Sequence, residues 1–193
     1  YRVPGGGNAG HTVVQRVASS LCICCLRHLP QEGGEYPGQR RALDCESLWT
    51  EMQDVTGKGV AITPENLKIS DRASLLLPWH RDLDGLEEAR LADKKYGSTK
   101  QGIAPSTPTS TRRRPSWPGS SSTRQALGAP GGDPGVENLT LEKVYGAKGY
   151  TMEDLRAWVA DYGEKIKPFI CDTGAFLRQA QAEGKSILEE DAL

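Results

Sequence analysis

No stretch of this 193-residue chain stays apolar for long enough to cross a bilayer. The longest run, Leu21 to Leu26, falls well short of the roughly 20 residues such a helix needs, and Arg27 and His28 follow it. An excess of one charge sign is also lacking. Lys and Arg number 24 against 25 Asp and Glu, so the net charge is −1. That balance gives neither nucleic acid nor an anionic membrane a bulk electrostatic reason to bind. Well-spaced zinc ligands are lacking too. Cys22, Cys24 and Cys25 read C-x-C-C, with Cys45 and His28 further along, a poor spacing for a tetrahedral site, which favours C-x₂₋₄-C pairs. No secretory pattern opens the sequence, so the five cysteines are expected as reduced thiols in a cytosolic setting. The first residue is Tyr1 rather than methionine, and the expectation is a piece of something longer.

What is present is uneven. Gly5-Gly6-Gly7-Asn8-Ala9-Gly10-His11-Thr12 packs glycines, an amide, an imidazole and a hydroxyl into one short segment. Glycine lets backbone amides approach an anion closely, because no Cβ intervenes. The segment reads as a phosphate-cradling loop with an acid or base attached. On its residues alone, His11 could equally be a surface or capping histidine.

The rest of the chain alternates between patterned and unpatterned stretches. Tyr1 to Val3 reads as the end of a strand and Thr12 to Val14 as a new one. Residues 15–45 show no clear period of 2 or 3.6. From Asp44, Leu48, Trp49 and Met52 fall at helical spacing, and Gly57 and Gly59 end that helix. Val60 to Ile62 and Leu67 to Ile69 read as short strands around the turn Thr63 to Asn66. His80 to Lys95 reads as an amphipathic helix with Leu83, Leu86 and Ala89 inward and charges outward. It leads to a second glycine-bearing loop, Gly97-Ser98-Thr99-Lys100-Gln101-Gly102-Ile103-Ala104-Pro105. Residues 106–135 are dense in Ser, Thr, Pro, Gly and Arg and read as linker or disorder. Thr151 and Asp154 predict a capping box. Leu155, Trp158, Val159, Tyr162 and Ile166 then form a helical stripe that Pro168 breaks. A further helix spans about Thr173 to Ala182 with Gly184 at its C′ position, and Ile187-Leu188 reads as the start of a buried strand.

Three segments together carry a resemblance. Asn8-Ala9-Gly10-His11-Thr12, then Ile69-Ser70-Asp71-Arg72-Ala73 with Pro78-Trp79-His80, then Gly97 to Pro105, stand in the order and spacing of the adenylosuccinate synthetase family. The family's forms read roughly GG-x-NAGHT, ISDRA…YH and GTT-x-x-GIGP. The likeness spans the first fourteen residues, 46–114 and 136–189. It implies an α/β fold, with a central, mostly parallel sheet flanked by helices, related to P-loop NTPases and incomplete here. Residues 1–193 would then be part of one such domain.

The resemblance also implies an activity: a cytoplasmic, homodimeric ligase of AMP biosynthesis that joins IMP to L-aspartate using GTP and Mg²⁺. In that family GTP phosphorylates the 6-oxygen of IMP, and aspartate then displaces the phosphate. His11 would be the general acid at that oxygen, a task that suits an imidazolium. Asn8, Ala9, Gly10 and His11 would contact IMP, and the Gly10 carbonyl would ligate Mg²⁺. Thr99 would bind the IMP phosphate. Arg113, reached from Thr99 without a gap, would extend across the dimer to the partner's IMP phosphate, with the bidentate fork that suits arginine to phosphate. On residues alone, Arg112 to Arg114 reads as a solvated basic run or, with little aromatic interleaving, a nucleic-acid patch.

Departures from the family's forms are specific. Ser98 replaces a threonine and keeps its hydroxyl; Ala104 replaces a glycine; Ser110 stands where a lysine is usual. The family's GDEGKGK loop and its EGAQGT loop are not found. The expectation is an internal portion that does not turn over by itself, the alternative being a non-catalytic product or a helical interaction module over residues 139–184. Residues 15–43 and 115–135 lose the family pattern and are expected to be out of frame or disordered.

Overall fold

Parallel pairing organises the chain. The computed structural model describes residues 5–6, 11–15, 18–22, 41–91, 97–103, 105 and 134–187, with the backbone alone before residue 42. The strands are β1 (Gly5–Gly6), β2 (His11–Gln15), β3 (Ala18–Cys22), β4 (Arg41–Asp44), β5 (Ile69–Ser70), β6 (Ser74–Leu76) and β7 (Ile170–Cys171). The helices are α1 (Cys45–Gly57), α2 (Pro78–Leu91), α3 (Gly135–Leu139), α4 (Met152–Trp158), α5 (Glu164–Ile166) and α6 (Thr173–Ala182). Strand β4 lies between β1 and β6, parallel to both, with Gly6 opposite Ala42 and Asp44 opposite Leu76. Strands β5 and β7 form a second parallel pair. Among the described strands only β2 and β3 pair antiparallel, as a hairpin with His11 opposite Cys22. This is the α/β architecture expected from the sequence.

The first glycines correct one expectation. Gly5 and Gly6 are not loop but strand, the edge of the three-stranded sheet. Tyr1 to Val3, read as strand, lie outside the described residues. The hairpin of β2 and β3 is regular β structure where no period was legible.

Helix α1 follows β4 directly, because Asp44 caps it. The Asp44 carboxylate accepts from the amides of Glu46 and Ser47 at 3.1 and 3.2 Å. Such a cap satisfies two of the donors that a helix N-terminus leaves open. Cys45, Leu48, Met52 and Val55 then fall on one buried face. Leu43 of β4, Leu75 of β6, Leu67 and Ile69 complete that side of the core. The strand expected at Val60 to Ile62 does not form; Val60 is 38% exposed, and the turn at Thr63 to Asn66 is held instead by Asn66, whose side chain accepts from the Thr63 amide at 2.8 Å.

The C-terminal part follows its stripe closely. Thr151 and Asp154 make the predicted capping box at the start of α4. Leu155, Val159 and Ile166 are buried, with Trp158 and Tyr162 half-buried beside them. The helix loosens to a π turn at Val159–Gly163 and tightens to a 3₁₀ turn at Lys167–Phe169, where Pro168 ends it. Helix α6 ends before Gly184, whose φ of +71° is the left-handed conformation of a C′ residue. Ile187, expected in a buried strand, is 41% exposed and belongs to none.

Candidate functional site

Strand direction decides where ligand chemistry can gather. Because β1, β4 and β6 are parallel, the segments that follow them leave the sheet at one edge. After β4 comes α1; after β6 comes α2. The edge beyond the C-terminal ends of parallel strands is where open α/β sheets bind ligands. Arg81, in the first turn of α2, ties the two helix starts together. Its guanidinium pairs with Asp44, reaches Glu46 at 3.0 Å and donates to the Ser47 hydroxyl at 2.6 Å.

On α2 the buried face is not the one the sequence suggested. Ala89 is exposed, and Leu83 and Leu86 are half-buried. Fully buried instead are His80, Asp84 and Glu88, at 2%, 5% and 4% exposure. They stand four residues apart, one above another on a single helix face. Burying two carboxylates is costly unless hydrogen bonds satisfy them. The loop after α2 supplies those bonds. Ser98 donates its hydroxyl to Asp84 at 2.6 Å, and Gly102 donates its amide to the other Asp84 oxygen at 2.8 Å. The Ser98 amide donates to Glu88 at 3.0 Å. The Ser98 hydroxyl in turn accepts from the Lys100 amide at 3.1 Å.

Gly102 shows how tightly the loop is seated. A Cβ there would lie 2.7 Å from the His80 carbonyl carbon and 2.8 Å from the Arg81 nitrogen, and φ is +77°. Only glycine suits both constraints. The second and third motifs of the sequence are therefore one structural unit, with Gly102 pressed onto the helix start at His80.

His80 itself is a core histidine. Its Nδ1 accepts from the Leu77 amide at 3.0 Å, and its Nε2 has no hydrogen-bond partner. Burial lowers its pKa to about 4, so the imidazole is neutral near pH 7.

Thr99 sits at the top of this loop and is exposed. Lys100 holds a left-handed φ of +55°, the one such non-glycine residue among those described. Negative and positive φ thus alternate from Thr99 to Gly102. The Lys100 and Gly102 amides, at the two left-handed residues, are both bonded within the fold, to Ser98 and Asp84. Among the described residues, the Thr99 and Gln101 amides have no hydrogen-bond partner. The loop thus turns the Ser98 and Gly102 donors inward to carboxylates and leaves the Thr99 hydroxyl and two amides outward.

The remaining site residues are less fully described. His11 is the first residue of β2, and no described pairing brings it to Thr99. Asn8, Ala9, Gly10, Ala104 and Arg113 lie outside the described residues. Cys45, one of the cysteines weighed for zinc, is buried in the core, and burial pushes its thiol pKa up. Asp84 and Glu88 escaped the sequence reading, which placed the charges of α2 outward. The available signal was the spacing of His80, Asp84 and Glu88, three polar residues on one stripe.

Comparisons with known proteins agree on one family. The family model described as adenylosuccinate synthetase matches residues 1–193. The adenylosuccinate synthetase of Magnetococcus marinus is 36% identical over 207 residues, covering 99% of this chain and 45% of the relative. That of Bacillus subtilis is 34% identical over 199 residues, covering 99% and 44%. The fold is similar to that of the fully ligated adenylosuccinate synthetase from Plasmodium falciparum, with a TM-score of 0.76 at 22% identity, over 98% of this chain and 44% of that one. The chain thus spans about 45% of the length of the curated relatives it matches. With a match over its whole length and motifs that fold into one seated loop, the chain belongs to the adenylosuccinate synthetase family.

Proposed function

We propose that this chain carries the part of an IMP–aspartate ligase that holds the 5′-phosphate of IMP. The intact enzyme would join IMP to L-aspartate with GTP, a carbon–nitrogen ligation that commits IMP to AMP, in the cytoplasm and as a homodimer. The observation that carries the reading is the loop Ser98 to Gly102. Two buried carboxylates hold its inner donors, and it presents the Thr99 hydroxyl and two free amides outward. A phosphate monoester accepts several hydrogen bonds on its oxygens, and the Thr99 hydroxyl with the Thr99 and Gln101 amides are donors the fold does not use.

The other roles rest on the family. His11 would protonate or hydrogen-bond the 6-oxygen of IMP as charge develops there. Asn8, Ala9 and Gly10 would line the purine nucleotide. Arg113 would complete the phosphate site of the neighbouring subunit. The Mg²⁺ expected on the Gly10 carbonyl concerns a residue outside the described ones, and the reading of the phosphate loop stands without it. Among the described residues no group of three or more His, Cys, Asp or Glu could hold a metal ion.

Calorimetric titration of the chain with IMP tests the reading. Thr99→Val removes the hydroxyl and keeps the shape. It is expected to weaken IMP binding by about 1.5–3 kcal/mol, the range for a hydrogen bond to a charged group. Equal binding by parent and variant would sink the assignment of Thr99.

A further inference from the structure

We propose that Asp84 is the positioning residue of the phosphate loop. Its two oxygens, bonded to the Ser98 hydroxyl and the Gly102 amide, fix which donors of that loop face a phosphomonoester. The proposal rests on the reading of the loop as a phosphate site.

Ser98, Thr99, Lys100, Gln101 and Gly102 offer five backbone amides and two hydroxyls with no apolar side chain among them. Free in water, these donors have no reason to sort into an inner and an outer set. The lysine must also hold a left-handed φ of +55°, a conformation unfavourable to a non-glycine residue. Something has to over-determine it.

Asp84 does so from both ends of the segment. Oδ1 accepts from Ser98 at 2.6 Å and Oδ2 from Gly102 at 2.8 Å, so one buried carboxylate spans the turn. The Ser98 hydroxyl has thereby given its hydrogen to Asp84, and its lone pairs face the Lys100 amide, from which it accepts at 3.1 Å. That bond holds the Lys100 amide inside. The carboxylate itself cannot swing away, since it is 5% exposed and sits one turn above His80, onto whose backbone Gly102 is pressed. Three inner donors are consumed by Asp84 and by the serine it orients; those of Thr99 and Gln101 are left for the ligand. Glu88, bonded to the Ser98 amide, steadies the near end of the loop.

The experiment follows the Thr99 and Gln101 amide resonances of the isotopically labelled 193-residue chain during titration with inorganic phosphate. The amides of Leu155 and Ile166 report on the core. The parent is expected to shift saturably. Asp84→Ala is expected to weaken the response roughly tenfold, the loss of about one charge-assisted contact, with core resonances unmoved. Ser98→Ala removes one arm of the clamp and is expected to weaken it less. Asp84→Asn is expected to recover most of the response. Its oxygen still accepts from Gly102, and its NH₂ donates to a Ser98 hydroxyl that has turned round. A purely structural role would show as lost core resonances rather than a changed phosphate response.

A parent that responds, with Asp84→Ala and Ser98→Ala responding equally well, overturns the positioning role and leaves the phosphate site standing. Asp84→Asn as weak as Asp84→Ala overturns it as well, because contacts would then not be what matters. If Asp84→Ala does not fold, Ser98→Ala and Asp84→Asn decide. A parent that does not respond overturns the reading of the loop, and this proposal with it.

Discussion

Helix α2 with its loop, and the helical segment from residue 134 to 187, cover the same core with different chemistry. The first buries a histidine and two carboxylates. The second turns Leu141, Leu155, Ile166 and Phe169 inward and, apart from the buried Glu137 and Thr173, keeps its polar groups to capping and linking at the surface. The two meet where Tyr150 donates to Asp82 at 2.6 Å and Tyr145 to Glu87 at 2.5 Å, both on α2. Tyr150 also stands edge-on to Trp79 at 6.1 Å. An apolar stripe stabilises by area removed from water and tolerates sliding. A buried carboxylate stabilises only in the one geometry that satisfies it, so it adds little net energy and much definition. The molecule places the second device under the loop that is read as gripping phosphate, and the first where a scaffold suffices.

The largest effect that sharpens this contrast is in the scaffold. Leu155 is fully buried. Leu155→Ala should lower stability by about 4 kcal/mol, from lost transfer energy plus the cavity left behind. Denaturant midpoints measure it. The phosphate response of the Thr99 loop should persist until the whole chain unfolds. Loss of that response well before unfolding would break the distinction between scaffold and clamp.

The second effect belongs to the clamp side and is somewhat smaller. His80 is neutral when folded, with a pKa of about 4 against 6.5 when exposed. The unfolded chain therefore binds a proton that the folded chain refuses. Stability is unaffected above 6.5, falls as pH drops from there to about 4, and levels off below. The shift corresponds to at most about 3 kcal/mol. His80→Asn keeps an oxygen to accept from the Leu77 amide and removes the titration. Urea melts across that pH range should show the slope in the parent and its disappearance in the variant. A slope that persists unchanged would mean that His80 titrates as freely folded as unfolded.

The same contrast explains what the sequence could show. Repeating apolar spacing is additive and local, so Leu48, Met52, Leu155 and Ile166 announced their helices and their buried faces. Capping is local too, and Thr151 with Asp154 could be read three residues apart. The burial of Asp84 and Glu88 could not. It depends on a loop ten or more residues later folding back to satisfy them, and on the identity of Ser98 and Gly102 within it. Read alone, an aspartate and a glutamate on an amphipathic helix belong outside, and Ala89 inside; the structure reverses both. Val60 to Ile62 and Ile187 misled in the opposite sense, since short β-branched runs match a strand period with no partner required. The phosphate contact proposed for Thr99 was readable only through the family motif, because a lone exposed threonine carries no such signal.

The smallest effect tests the scaffold's surface chemistry against the clamp's. Thr151 accepts from the Asp154 amide at 3.1 Å, and Asp154 accepts from the Thr151 amide at 2.8 Å. Thr151→Ala should lower stability by about 1 kcal/mol, and Thr151→Ser by much less. Asp154 is exposed, and bonds from the Thr151 amide and hydroxyl hold its carboxyl below the usual value of 3.8. Its contribution is thus present above that value and is lost as pH falls through the lower folded one. The His80 loss is already complete near pH 4, where the Asp154 loss begins. Two successive acid steps should therefore appear in the parent: His80→Asn removes the upper one alone, and Thr151→Ala shrinks the lower one alone. Thr151→Ala shrinking the upper step instead would show that the two regions unfold through one coupled network rather than as a clamp mounted on a scaffold.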